Sequence, residues 1–267
     1  MYVVGGDSKT LVVQKYNGIF LQWFESLRHP ERSPSWKSWS SWSLQYAVVD
    51  KVGDLLISAN SRSSWMANYA CVVLKYDGSG YLKWNKSISQ ATDDYCGALV
   101  TDTNLDIYFL KVSFKSFKSI LFKLTSHAGA ILWSQELGPH YTASTNALAI
   151  DSENYIYIAG KIMHAVESNW LGGKMINWVS EVMFLQKYNT SGSLQWETLQ
   201  SCHPGQNQAS FNFWSGGRVL INAGFMTIQS DNVLIGGTTY CKCGNQMGSQ
   251  ITLKPLWVIM NYSSQGA

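Results

Sequence analysis

The residues with the most obvious ligand chemistry lie in the C-terminal third. Cys202-His203 and Cys241-x-Cys243 offer three thiols and an imidazole, a donor set that suffices for a closed zinc site. The same residues also suit a disulfide between Cys202 and one of the later pair, or thiols that are not linked, because Cys-x-Cys is a weaker signal than Cys-x-x-Cys. Cys71 sits in an apolar stretch and Cys96 near the start of another; both read as buried free thiols.

Carboxylates come next. Asp93-Asp94 could pair for acid–base work or hold calcium. Asp50, Asp102 and Asp151 each follow a short run of small apolar residues, and an Asp there caps a turn with its own side chain. His127, His140 and His164 have no Cys, Ser or acid at a telling spacing. The run Lys111-Val-Ser-Phe-Lys115-Ser-Phe-Lys118 mixes base and aromatic as nucleic-acid grooves do. Set against a net charge of only +3 it reads as a solvated turn, and no nucleic-acid partner is expected. No catalytic constellation emerges, and no cofactor is expected.

Tryptophan is the remaining candidate. Trp36, Trp39, Trp42, Trp65, Trp170, Trp178 and Trp214 fall outside the repeated pattern described below. Exposed Trp is enriched at interaction hot spots and can stack on sugars; the competing reading packs these rings onto the body of the protein. In Ser33–Ser43, three of them recur at spacing three, which places them on one side of a helical turn if one forms.

The elements that must position these residues are legible as repeats. Val182–Trp196 runs from an apolar stretch into Lys-Tyr, a polar turn with glycine, then Leu-x-Trp. The phrase recurs at Val12–Trp23, Val72–Trp84 and Ile120–Trp133, and its first half at Val258–Gly266. Upstream of it stand a small-residue strand ending in acid (Ala47–Asp50, Ala98–Asp102, Ala147–Asp151) and an apolar strand (Leu55–Ser58, Ile107–Leu110, Tyr155–Ile158, Val233–Ile235). Units of about 40–50 residues with four short strands read as propeller blades, lengthened here by insertions.

The expected fold is therefore all-β: a single β-propeller domain over 1–267, with approximate blades at 1–27, 44–89, 94–138, 144–200 and 220–267. Within each blade the strands are named a to d, outward from the axis. Small side chains suit the crowded inner strand, and the repeat tryptophans suit the diverging rim. The ends offer b-c-d and a-b-c, so the terminal blades are incomplete and the chain reads as a segment of a larger propeller.

These units resemble the SBBP β-propeller repeat. Blade four carries the resemblance at Ala147–Asp151, Tyr157–Gly160, Lys187-Tyr188, Ser191-Gly192 and Leu194–Trp196, and blade two at Ala47–Asp50, Lys75-Tyr76, Ser79-Gly80 and Leu82–Trp84. Blade three departs from it with Leu124 in place of Tyr and no strand-b glycine. The kelch-type propeller is the runner-up, on Gly5-Gly6 and Gly236-Gly237. The resemblance implies a fold rather than an activity, and a family of extracellular or envelope-associated interaction scaffolds.

Insertions are one-sided. The segments 28–43, 59–70, 111–118, 161–180, 201–222 and 239–256 all join strands d to a or b to c, so function is expected on that face. The leading expectation is a non-catalytic scaffold binding a protein or glycan partner there. The alternatives are a glycan lyase or hydrolase with its site at the axial mouth of that face, and a structural segment of a large surface protein. No apolar run approaches a membrane span. No signal peptide is visible, because Tyr2–Gly6 already reads as a strand. The compartment is set only by the resemblance, which favours the cell exterior.

Overall fold

The computed structural model describes residues 1–6, 10–17, 19–28, 41–62, 69–88, 94–113, 118–137, 145–170, 173–201, 220–229, 232–240 and 256–263. They form antiparallel sheets, and no helix occurs among them. The chain divides into two compact units, Met1–Leu137 and Gly138–Ala267.

The first unit holds three sheets, each a simple meander. These are β1 (Tyr2–Gly6), β2 (Thr10–Asn17) and β3 (Phe20–Arg28); β4 (Ser41–Val49), β5 (Leu55–Arg62), β6 (Ala70–Tyr76) and β7 (Leu82–Ser87); and β8 (Asp94–Thr101), β9 (Ile107–Ser113), β10 (Lys118–Leu124) and β11 (Ile131–Leu137). The second unit holds β12 (Thr145–Ile150), β13 (Ile156–Trp170), β14 (Gly173–Tyr188) and β15 (Leu194–Ser201), then β16 (Leu220–Gln229), β17 (Asn232–Tyr240) and β18 (Leu256–Ser263).

The strand sequences explain the packing within the first unit. Leu56 and Ile57 are adjacent and both fully buried. Alternation sends Ile57 toward the first sheet, where it clusters with Leu11 and Val13, and Leu56 toward the third, where it clusters with Phe109 and Leu124. A sheet covered on both faces needs apolar residues at every position rather than every second one. Burial of each such side chain contributes about 1.5–3 kcal/mol. In the second unit Ala147, Tyr157, Leu185, Val233 and Ile235 play the same part. Strands a of successive sheets approach each other, β4 with β8 and β12 with β16. That is where small residues fit: Ala98 and Ala147 are buried. Ala47 is exposed.

The repeat phrase is a bulge. In all four complete c–d pairs the register shifts after the lysine, between Lys15/Tyr16, Lys75/Tyr76, Lys123/Leu124 and Lys187/Tyr188. Tyr76 then faces Leu82 and Lys75 faces Trp84. The x of Leu-x-Trp is the extra residue, and it turns the Trp toward the next sheet. Trp23 Nε1 donates to the Gly78 carbonyl at 3.2 Å, and Trp84 Nε1 to the Ser126 carbonyl at 2.9 Å.

Turn acids cap as expected. Asp50 Oδ1 accepts from the amides of Val52 and Asp54, Asp102 Oδ1 from Asn104 and Asp106, and Asp151 Oδ1 from Glu153 and Tyr155. The turn places Gly53, Leu105 and Asn154 at φ of 90°, 71° and 68°.

Two local expectations are corrected. Residues 161–180 do not form a loop. β13 and β14 run on as a two-stranded ribbon as far as Trp170↔Gly173, because β-branched residues recur through it (Ile162, Val166, Ile176, Val179) and only Leu171-Gly172 interrupts them. Nor does Trp42 belong to a helical turn; it lies in β4, paired with Ser61.

Candidate functional site

The face with the long insertions can be examined in the first unit at the start of β8. Asp94 opens that strand and pairs across it with Ser113 at the end of β9. Its backbone amide donates to the Tyr69 carbonyl at 3.3 Å. Its side chain is 1% exposed and accepts from Lys111 Nζ at 2.9 Å through Oδ2. Oδ1 is buried and has no hydrogen-bond partner among the described residues. A buried carboxylate oxygen left without a donor costs about 1–3 kcal/mol or more, and a carboxylate kept in that condition is a candidate working group.

The surroundings hold this carboxylate rigidly. Lys111 Nζ stands 5.8 Å from the centre of the Phe122 ring, so it is positioned from two sides. The rings of Tyr69 and Tyr95, one from each neighbouring sheet, lie 4.9 Å apart and tilted by 38°. Asn60 Oδ1 accepts from the Cys96 amide at 2.7 Å and Ser58 Oγ donates to the Gly97 carbonyl at 2.9 Å, both buried. Cys71 and Cys96 form a disulfide, with Cys71 fully buried and Cys96 4% exposed. This corrects the reading of both as free thiols. Residues 25 apart in sequence are brought together because β6 and β8 face each other across adjacent sheets. The cluster is thus a buried carboxylate with one oxygen lacking a donor among the described residues, an ammonium, two phenol rings and a covalent staple.

The opposite face is built for stability. Lys75, 1% exposed, meets Asp50 at 3.0 Å, Asp54 at 3.2 Å and Ser126 Oγ at 2.6 Å. Burial alone would raise the Asp54 carboxyl, but hydrogen bonds from Lys83 and Lys75 prevail and hold it below the usual carboxylate range. Lys123 meets Asp106 at 3.0 Å and Asp102 at 3.9 Å. Burial first, together with the Asp102 charge, pushes the Tyr108 phenol up to about 12 against the opposing pull of Lys123. Asp50, Asp102 and Asp151 are therefore turn caps, the first two also ion-pair partners, rather than a paired-carboxylate site.

Of the residues singled out in the sequence, Asp94 and Lys111 are brought together from positions 17 apart. Sequence alone set Asp94 beside Asp93 and Lys111 in a basic run; nothing in either motif announces the other. Trp42 lies on β4, Trp170 and Trp178 on the long ribbon, with Trp178 opposite Ala165. Trp36, Trp39, Trp65 and Trp214 lie outside the described residues, as do Cys202, His203, Cys241 and Cys243. No group of three or more His, Cys, Asp or Glu suited to a metal occurs among the described residues. No helix there is long and apolar enough to cross a membrane.

Comparison with known proteins bears on the fold. The family model described as SBBP, β-propeller repeat, matches residues 132–164. No curated protein matches by sequence. A GH43 β-1,3-galactosidase solved with galactodeoxynojirimycin is similar in structure, with TM-score 0.50, 7% identity, and coverage of 97% of this chain and 84% of that one. An exo-β-1,3-galactanase from Phanerochaete chrysosporium gives TM-score 0.43 at 9% identity, over 89% of this chain and 56% of that one. This chain thus spans little more than half of the galactanase. Another GH43 β-1,3-galactosidase gives 0.46 at 9% identity, over 97% and 55%. The likeness in fold rests on the first of the three.

The expectation of a non-catalytic scaffold is corrected by this neighbour, a propeller glycosidase. That expectation rested on the one-sided insertions and on the tryptophans within them. The chain is an all-β protein of the β-propeller type, and its residues 132–164 carry the SBBP β-propeller repeat.

Proposed function

We propose that this protein is a glycan-processing propeller enzyme, a glycoside hydrolase acting on β-linked galactosyl substrates through the face that carries Asp94. The observation that carries the reading is the Asp94 carboxylate, 1% exposed, fixed by Lys111, with its other oxygen buried and without a hydrogen-bond partner among the described residues. A group so placed at the inner-strand end suits either proton transfer or stabilisation of an oxocarbenium-like transition state. Such hydrolysis uses two carboxylates; Asp93, beside Asp94, lies outside the described residues. The galactosidase neighbour supports the substrate class, since its fold is matched along nearly the whole chain. The Tyr69 and Tyr95 rings provide apolar faces of the kind that pack on sugar rings. The buried disulfide is of the sort formed in oxidising compartments, in keeping with an extracellular glycan substrate.

The test is turnover of β-1,3-linked galacto-oligosaccharides and aryl β-galactosides by the whole chain. Asp94→Asn should lower kcat by about 100-fold or more, the usual contribution of a positioned acid–base group, and should leave the circular dichroism spectrum intact. Absence of turnover by the unaltered protein across a broad glycoside panel, or an Asp94→Asn variant as active as the parent, would refute the proposal.

A further inference from the structure

Asn85-Lys-Ser87, Asn189-Thr-Ser191 and Asn261-Tyr-Ser263 share one pattern. Each sets a hydroxyl two residues after a carboxamide with no proline between, the spacing of an N-glycosylation acceptor. The triplet alone makes the three equal. They differ in whether the folded chain leaves the carboxamide open to solvent, because a bulky glycan is accommodated only at the surface.

Asn85 meets that requirement. It lies on β7, the outermost strand of blade two, opposite Leu74. Lys83, Asn85 and Ser87 are exposed along one face of the strand, whereas Trp84 and Lys86 on the other face are half-buried. Trp84 turns toward the third sheet, where its Nε1 donates to the Ser126 carbonyl. Successive side chains of a strand point to opposite faces, so Asn85 points away from that contact. Openness belongs to the position. By register Ser134 and Glu197 occupy it in blades three and four, and both are exposed. Blades diverge toward the rim, which leaves this face of strand d uncovered.

The other two triplets are placed differently. Asn189 is half-buried, and its Oδ1 accepts from the amides of Ser191 at 3.1 Å and Ser193 at 2.9 Å and from the Ser191 hydroxyl at 2.7 Å. That triplet is engaged in capping a turn, as Asp77 is in blade two. Asn261 pairs with Leu234 as Lys75 pairs with Leu56, a register position at which Lys75 and Lys187 are buried.

We infer that Asn85 is an N-glycosylation site. The donor is an oligosaccharide carried on a lipid pyrophosphate. Asn85 Nδ2 forms a bond to the anomeric carbon of the first sugar, the bond from that carbon to the pyrophosphate oxygen breaks, and Nδ2 gives up one proton; nothing is oxidised or reduced. A separate observation agrees with the compartment this needs: the Cys71–Cys96 disulfide is of the kind formed in secretory lumens. The inference does not rest on the glycosidase reading.

The experiment passes the full chain through a eukaryotic secretory pathway. Intact mass is read on secreted and membrane-retained protein together, before and after a peptide N-glycosidase. The enzyme should remove the mass of one oligosaccharide and convert Asn85 to aspartate in the peptide map. Asn85→Gln and Ser87→Ala should each abolish that mass shift, and Asn189→Gln should preserve it. Ser87→Ala leaves the acceptor nitrogen in place, so loss of the glycan in both variants, each melting as the parent does, assigns the effect to the triplet rather than to misfolding. A parent chain with no glycan overturns the inference, and so does a glycan carried only at Asn189 or Asn261.

Discussion

Lys75→Met is the substitution whose effect is most directly set by the structure. It replaces a buried ammonium, 1% exposed, with an apolar chain of similar length. Asp50 and Asp54, each 5% exposed, then lose the cation at 3.0 and 3.2 Å. Asp54 keeps Lys83 at 2.6 Å, but that ammonium is 44% exposed and screened by solvent. Asp50 keeps its turn amides. Removing one partner of a buried pair costs about 3–5 kcal/mol, and here one cation serves two acids and the Ser126 hydroxyl. For a unit of this size the melting temperature should fall by about 10–15 °C.

Differential scanning calorimetry at pH 7 measures the loss, and a pH series identifies its source. The Asp54 carboxyl is held below its ordinary range, so its contribution is fully present above the unfolded value near 4 and disappears as pH falls through the lower folded value. Weaker ion pairing in Lys75→Met should therefore make the gap between variant and parent narrow below about pH 4. A deficit under about 1 kcal/mol at pH 7, or one that does not change with acid, would refute the argument that this ion cluster holds the second and third sheets together.

Three further outcomes follow from local geometry. Leu105 carries φ of 71° where its counterparts are Gly53 and Asn154, so Leu105→Asn should stabilise by about 0.5–1 kcal/mol in urea denaturation. Gly80→Ala places a Cβ 2.6 Å from the Trp23 ring at φ of +94° and should cost about 2–3 kcal/mol, with a change in Trp fluorescence. The Cys71→Ser/Cys96→Ser double variant opens a loop of 25 residues and should lose about 3.5 kcal/mol by the chain-entropy relation; denatured parent protein should show neither thiol until reductant is added.

The sequence alone determined the repeat, and through it the strands. Lys-Tyr, a glycine turn and Leu-x-Trp impose a bulge and a turn wherever they occur, because both are short-range consequences of backbone pairing and positive φ. The acid ending strand a was readable for the same reason: its hydrogen bonds reach only two and four residues ahead. The ribbon at β13–β14 was missed because its glycine-flanked interruption resembles the start of a loop, while its strand character depends on two segments finding each other.

Tertiary structure decided everything that depends on which sheets are neighbours. Cys71 meets Cys96, Lys75 reaches Ser126, and Trp23 rests on Gly80 because successive blades pack face to face. Asp94 and Lys111 pair for a related reason: antiparallel pairing of β8 with β9 returns the chain to the same end of the sheet. A sequence states which residues lie near each other along the chain. Contacts between blades are set by how the units stack, and in this protein those contacts carry the disulfide, the Lys75–Ser126 hydrogen bond and the packing of Trp23 on Gly80.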